Sequence, residues 1–196
     1  MRHIAGILLA GGGSRRFGSN KLAAMANDTV PIGVRSAEHL HAAVNDLIVV
    51  IPAGDKTTLA LFDGLFEVSV CADSSEGIGR SIAHGVAARQ TADGWLIGLA
   101  DMPYIRVDTI VSIANAVSSA GTIARPRFSG RAGHPVGFGA AYGRELMRLQ
   151  GDVGAQPIVN ANSESLVFID TDDAGVVMDI DRPEDIAATG QDKGVS

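Results

Sequence analysis

Gly11, Gly12 and Gly13 are followed by Arg15, Arg16 and Lys21, and no acid intervenes before Asp28. Glycines have no Cβ, so the backbone can turn sharply and come close to a ligand. The N–H groups of such a turn can cradle phosphate oxygens. A glycine turn with three cations and no counter-charge is an anion site, best suited to a nucleoside triphosphate. It is not a P-loop, because the residues before Lys21 are Ser19 and Asn20 rather than the required glycine. It is not a dinucleotide fingerprint either, since Arg16 stands where the third glycine would fall.

Carboxylates further along could complete such a site. Asp101 ends the apolar segment Gly98-Leu99-Ala100, with Pro103 breaking the chain just after it. A carboxylate in that place points into the crevice where ligands of open sheets collect, although turn formation or helix capping also suits it. Asp73 follows another apolar segment and could accept hydrogen bonds from a guanine edge; a plain turn role is equally open. Ser81 could donate to a base or ribose oxygen, or simply open a helix. Asp179 and Asp181 are two positions apart, so in a strand both would face the same way.

The surrounding pattern supplies elements to position these groups. Ile4 to Ala10 reads as a buried strand ahead of the glycines, and Leu47 to Ile51 as a strand covered on both faces. Glu67 to Cys71 and Gly94 to Ala100 read as two more. Between them, helices are expected over Pro31 to Val44, Asp55 to Leu61 and Gly79 to Arg89. Val107, Ile110, Val111, Ala114 and Val117 mark a further helix. Strand and helix alternation implies an α/β fold with a mainly parallel sheet. Beyond Gly121 short strands and turns replace it, notably around Ser129 to Gly133. The expected layout is one domain over 1–190, with a nucleotide-binding half at 1–120, an acceptor-binding half at 121–190 and a frayed tail at 191–196.

Composition narrows the function class. With 196 residues, 46% of them hydrophobic, the chain can bury a sizeable core as one domain. A net charge of −6 argues against general nucleic-acid binding. The single Cys71 excludes an internal disulfide and a cysteine-rich metal site, and Val68 and Val70 beside it suggest a buried strand thiol. No apolar run is long enough for a membrane span and no leader is evident, so a cytoplasmic location is expected. Glu164 to Asp185 holds eight acids and one base. Cations early and carboxylates late suit phosphates with a divalent metal, the alternative being a solvated acidic surface.

The first segment resembles the LA(A/G)GxSxRxGxxK motif of the MobA-like NTP transferases, which build the nucleotide forms of the molybdenum cofactor. Leu9, Ala10, Gly11, Gly12, Ser14, Arg16, Gly18 and Lys21 fill its fixed positions. Five further segments, in order, resemble the same family: Glu76 to Ser81 its EGMxxS, Ala100 to Pro103 its GDMP, Gly133 to Val136 its GHPV, Gly151 to Gln156 its GDxGAR and Asp179 to Asp185 its DIDTPED. Ala100 replaces a usual glycine, and Gln156 the usual arginine. The resemblance implies a Rossmann-like three-layer α/β/α nucleotidyltransferase fold. It implies Mg²⁺ on Asp101, with Asp179 a candidate second ligand, and nucleotide contacts from the glycine loop, Asp73 and Ser81. His134, Asp152 and Asp181 are then candidates for the acceptor.

The implied reaction moves CMP or GMP from the triphosphate to the phosphate of molybdopterin or the molybdenum cofactor, releasing pyrophosphate. Lys21, Arg16 and Asp101 would be the catalytic set, and a molybdoenzyme a possible later partner. The EGIxxS, DMP and GHPV segments resemble the cytidylyl branch of the family, whereas Leu9-Ala10-Gly11-Gly12 resembles the guanylyl branch. Use of both CTP and GTP is therefore expected, CTP somewhat the better. A sugar-phosphate nucleotidyltransferase and a non-catalytic cofactor chaperone are the rival readings; Lys21 together with Asp101 favours an enzyme.

Overall fold

The computed structural model describes residues 2–11, 20–26, 29–44 and 46–188. Gly12, Gly13, Ser14, Arg15, Arg16 and the expected tail at 191–196 lie outside them. The central strand is β1 (Ile4–Leu9), buried along its whole length. It runs parallel to β2 (Leu47–Pro52) on one side and β4 (Gly94–Leu99) on the other, with Leu9 opposite both Val50 and Leu99. β3 (Glu67–Cys71) adds a fourth parallel strand beyond β2. β1, β2 and β4 thus follow the continuous apolar runs that a sheet covered on both faces demands, whereas β3, at the end of the sheet, is partly exposed.

Successive residues divide between two cores. Leu8, Val49 and Leu96 face one layer, where α1 (Ile32–Val44) packs against α4 (Val107–Ala116). Ile7, Leu9, Ile48, Val50 and Ile97 face the other. There α3 (Ile78–Ala88) lies with α5 (Gly143–Leu146) and α6 (Gln156–Ala161). Gly85 lets α3 come down onto β1, since a Cβ there would sit 2.4 Å from Ile7. The short α2 (Lys56–Phe62) buries Phe62 in the first layer.

The second half breaks the parallel pattern. β7 (Val136–Gly139) pairs antiparallel with β4 and with β5 (Ile123–Phe128), so β5 points the same way as β4. β5 turns through Ser129 and Gly130, both at positive φ, into the short β6 (Arg131–Ala132). β8 (Leu166–Asp170) runs parallel to β5. The sheet order is β3-β2-β1-β4-β7-β5-β6, with β8 also on β5, and most of its pairings are parallel. Cys71 is buried in β3 as expected.

Asp179 to Asp181 forms no strand of this sheet. Ile180 is buried and its N–H donates to the Asp101 carbonyl at 2.9 Å, but no ladder continues from that single bond. α7 (Pro183–Ala188) follows, its start capped by Asp185, which accepts from the Asp181 and Arg182 N–H groups.

Candidate functional site

The carboxyl ends of β1, β2 and β4 open onto one crevice, where ligands of parallel sheets bind. Ala10 stays tied to the sheet through Val50, after which Gly11 enters the crevice wall. Lys21 begins a 3₁₀ turn over Lys21–Ala23, which Asn20 caps by accepting from the Leu22 N–H at 3.0 Å. Asn20 also donates to Thr58, and Leu22 is buried, so the turn is anchored at two points. Asp101 is held from its backbone. Ser36 donates to the preceding Ala100 carbonyl, and Ile180 to that of Asp101 itself.

These anchors bring three charged groups together. The Lys21 ammonium donates to Asp101 Oδ2 at 2.7 Å and to Asp181 Oδ1 at 3.2 Å. The lysine side chain is only 11% exposed. Burial disfavours its charge, but the bonds and fields of the two carboxylates outweigh that and raise its pKa. It is therefore a fixed cation at neutral pH. Asp181, rather than Asp179, shares this lysine with Asp101. Asp179 is exposed and lines a neighbouring concavity with Arg125, Arg131 and His134.

Two adjoining cavities open at the carboxyl ends of these strands, and neither is lined by Lys21, Asp101 or Asp181. The larger, about 590 Å³, is lined by Leu9, Gly11, Pro52, Ala53, Ser74, Ser75, Gly77, Ile78, Ser81 and Asp152. The second, about 270 Å³, shares Leu9, Ile78 and Asp152 with it and adds Arg125, His134, Gln156 and an apolar wall. Leu9, Gly11 and Ser81, three of the expected nucleotide contacts, thus line one cavity. Asp73 does not line the larger cavity; it opens the 3₁₀ turn whose serines do. Asp152 stands between the two cavities.

The floor joining them is tightly built. Gly77 has φ 122°, and a Cβ there would lie 2.2 Å from the Gly151 backbone. A Cβ on Gly79 would likewise lie 2.9 Å from the Gln150 carbonyl oxygen. Gly77→Ala combines backbone strain with overpacking that typically costs about 1–3 kcal/mol. It is expected to lower the thermal midpoint by roughly 5 °C or more, read by calorimetry.

His134 carries the other unusual protonation state. Burial first, and Arg125 second, push its pKa down to about 4, only partly offset by Asp101, the Ile97 backbone and Asp179. The ring is neutral at pH 7, and its Nδ1 is buried without a partner. Sequence reasoning missed Arg125 altogether, along with Pro52, Ala53, Ser74 and Ser75. A hint was present, since Gln156 stands in place of a patterned arginine.

Comparison with known proteins agrees with this geometry. The chain is 28% identical over 195 residues to the purine catabolism protein PucB of Bacillus subtilis strain 168, covering 93% of this chain and 94% of that one. The crystal structure of Rv0371c from Mycobacterium tuberculosis H37Rv superposes with a TM-score of 0.82 at 27% identity, over 95% of this chain and 96% of that one. A second structure of Rv0371c is a complex with manganese, with a TM-score of 0.75 at 25% identity over 95% of this chain and 97% of that one. A nucleotidyl transferase from Methanothermobacter thermautotroptrophicus shares the fold, with a TM-score of 0.83 at 19% identity over 95% of each chain. The MobA-like NTP transferase domain model matches residues 6–166, and the chain belongs to that family of nucleotidyltransferases.

Proposed function

We propose that the protein transfers CMP or GMP from CTP or GTP to the terminal phosphate of molybdopterin or the molybdenum cofactor, with release of pyrophosphate. The observation that carries this reading is the pair of adjoining cavities at the carboxyl ends of the parallel strands, together with a lysine held between two carboxylates just past the end of β4. The larger cavity takes the nucleotide against Gly11 and Ser81, with Arg16 and the loop amides on its phosphates. The smaller takes the acceptor. The acceptor phosphate is already an anionic nucleophile, so no general base is needed. Its oxygen attacks the α-phosphorus as the bond to pyrophosphate breaks. Lys21 stabilises the charge gathering on the departing oxygens, and the rest is positioning.

A divalent metal fits the donors present. Asp101 and Asp181 offer carboxylate oxygens, the hard ligands that Mg²⁺ prefers. Among the described residues no three metal-ligating side chains gather in one place, which suits an ion held by one or two carboxylates plus phosphates and waters. In this reading Asp101 is the main ligand and Asp181, which shares its lysine, is the better placed second donor. Asp179 faces the acceptor side. When bound, the metal supplies charge neutralisation at the α-phosphate.

Pyrophosphate release with CTP and GTP, against cofactor and sugar-phosphate acceptors, tests the reading. Release only with sugar phosphates would replace the acceptor, and tight nucleotide binding without release would favour the carrier reading. Gly11→Ala tests the base. A Cβ at Gly11 meets only the Pro52 ring, at 3.4 Å, so it narrows the cleft without distorting the chain. One methyl discriminates by about 1–3 kcal/mol, and GTP turnover is expected to fall more than CTP turnover. Equal loss of kcat/KM for both nucleotides would show that position 11 does not sense the base. No helix among the described residues is long and apolar enough to cross a membrane.

A further inference from the structure

Two polar groups of the smaller cavity stand out, an arginine that meets no carboxylate and a histidine nitrogen with no hydrogen-bond partner. Arg125 leaves β5 half-buried, and among the described residues no carboxylate pairs with it. Its Nε and Nη2 donate to the Gly133 carbonyl at 3.2 and 3.1 Å, and its Nη1 reaches Gln156 Oε1 at 3.3 Å. Arg80, Arg89, Arg106 and Arg127, by contrast, each meet a carboxylate. The second group is His134 Nδ1, buried and unpartnered in the same cavity. Around them Ile82, Ile97, Val136, Phe138 and Val159 form apolar walls.

A desolvated guanidinium is costly unless an anion completes it. Burial already lowers the pKa of Arg125, as it does that of His134 beside it. The neutral imidazole adds no second charge, so among the described residues lining this cavity Arg125 is the only cation. The larger cavity beside Gly11 does not include Arg125 in its lining, so a nucleotide phosphate lying there would not reach it by default. Gly133 and Gln156 orient the guanidinium without neutralising it.

We propose that Arg125 is the anion anchor of the smaller cavity, which binds a compact aromatic or apolar body carrying an oxyanion, with the His134 ring forming part of its wall. Calling that ligand the acceptor rests on the nucleotidyl-transfer reading; the binding site itself does not. The cavity, of about 270 Å³, has room for a small ring system. Charge-assisted hydrogen bonds from a fixed fork favour a carboxylate or phosphate over a neutral group.

The test uses the full chain and two fluorescent probes, pterin-6-carboxylate and unsubstituted pterin, which differ by one carboxylate. Fluorescence anisotropy is read for the wild type, Arg125→Gln, Arg125→Lys and His134→Ala, each first checked for an unchanged melting profile. The wild type is expected to prefer the carboxylate about tenfold or more. Arg125→Gln should erase the preference, Arg125→Lys should keep part of it, and His134→Ala should weaken both probes. CTP and GTP titrations with Mg²⁺ should match the wild type in Arg125→Gln. No binding to the wild type, or an undiminished preference in Arg125→Gln, overturns the proposal. So does a loss of nucleotide affinity in Arg125→Gln, which would assign Arg125 to the triphosphate. If the probes behave as expected but no acceptor yields pyrophosphate, the site stands and the transfer reading falls.

Discussion

Asp101→Asn is expected to reduce nucleotidyl transfer about 100-fold or more, with the thermal midpoint little changed. The scale is that of removing one main electrostatic stabiliser from a preorganised site. The amide keeps the shape and can still accept from Lys21, and the backbone bonds to Ile180 and from Ser36 at Ala100 do not involve the carboxylate. What is lost is the negative charge that attracts a divalent ion. A raised Mg²⁺ requirement should therefore accompany the fall, measured as the ion concentration giving half-maximal rate. Wild-type turnover at ordinary Mg²⁺ would remove Asp101 from the metal site.

The second large effect is expected at Lys21. Its ammonium is nearly buried between Asp101 and Asp181, where burial magnifies its influence on any charge developing nearby. If that influence acts on the departing pyrophosphate, Lys21→Ala lowers kcat by about 100-fold while KM for the nucleotide moves far less. A change confined to KM would reduce Lys21 to a binding residue. The alanine variant also leaves two carboxylates facing each other without their shared cation. Lys21→Arg, which keeps the charge, separates that repulsion from the catalytic loss.

The parallel half of the fold was legible because strands covered on both faces must be apolar throughout. Ile4 to Leu9 and Leu47 to Ile51 leave no other reading, and the helix stripes between them follow the same two layers. The later strands were obscure for an equally physical reason. β5 contains Arg125, Pro126 and Arg127, and β8 is partly exposed, so neither shows a clean period. The spacing of Asp179 and Asp181 suggested a strand. One backbone bond ties Ile180 to Asp101 instead, and no ladder continues from it. Lys21 and Asp101 stood out as candidates because a charged residue beside a glycine turn or a strand end has few structural uses, and the structure brings the two into contact. Arg125 did not, because its meaning depends on the absence of a carboxylate, which only three dimensions reveal. Asp73 was open between a ligand and a turn role, and it stands at the start of a 3₁₀ turn.

The contact between Lys21 and Asp181 joins residues 160 positions apart in sequence. Closing a longer loop costs only about 0.6 kcal/mol per doubling, so the separation does not weaken the finished contact. It governs timing instead. The four parallel strands and their helices are complete in the chain by Ala116, whereas Asp181 follows only after β5 to β8. A refolding chain can thus regain most of its helical signal while still lacking the residue that completes the lysine's surroundings. Refolding from urea should show far-UV ellipticity recovering ahead of catalytic competence, the lag measuring how slowly the closing segment finds Lys21.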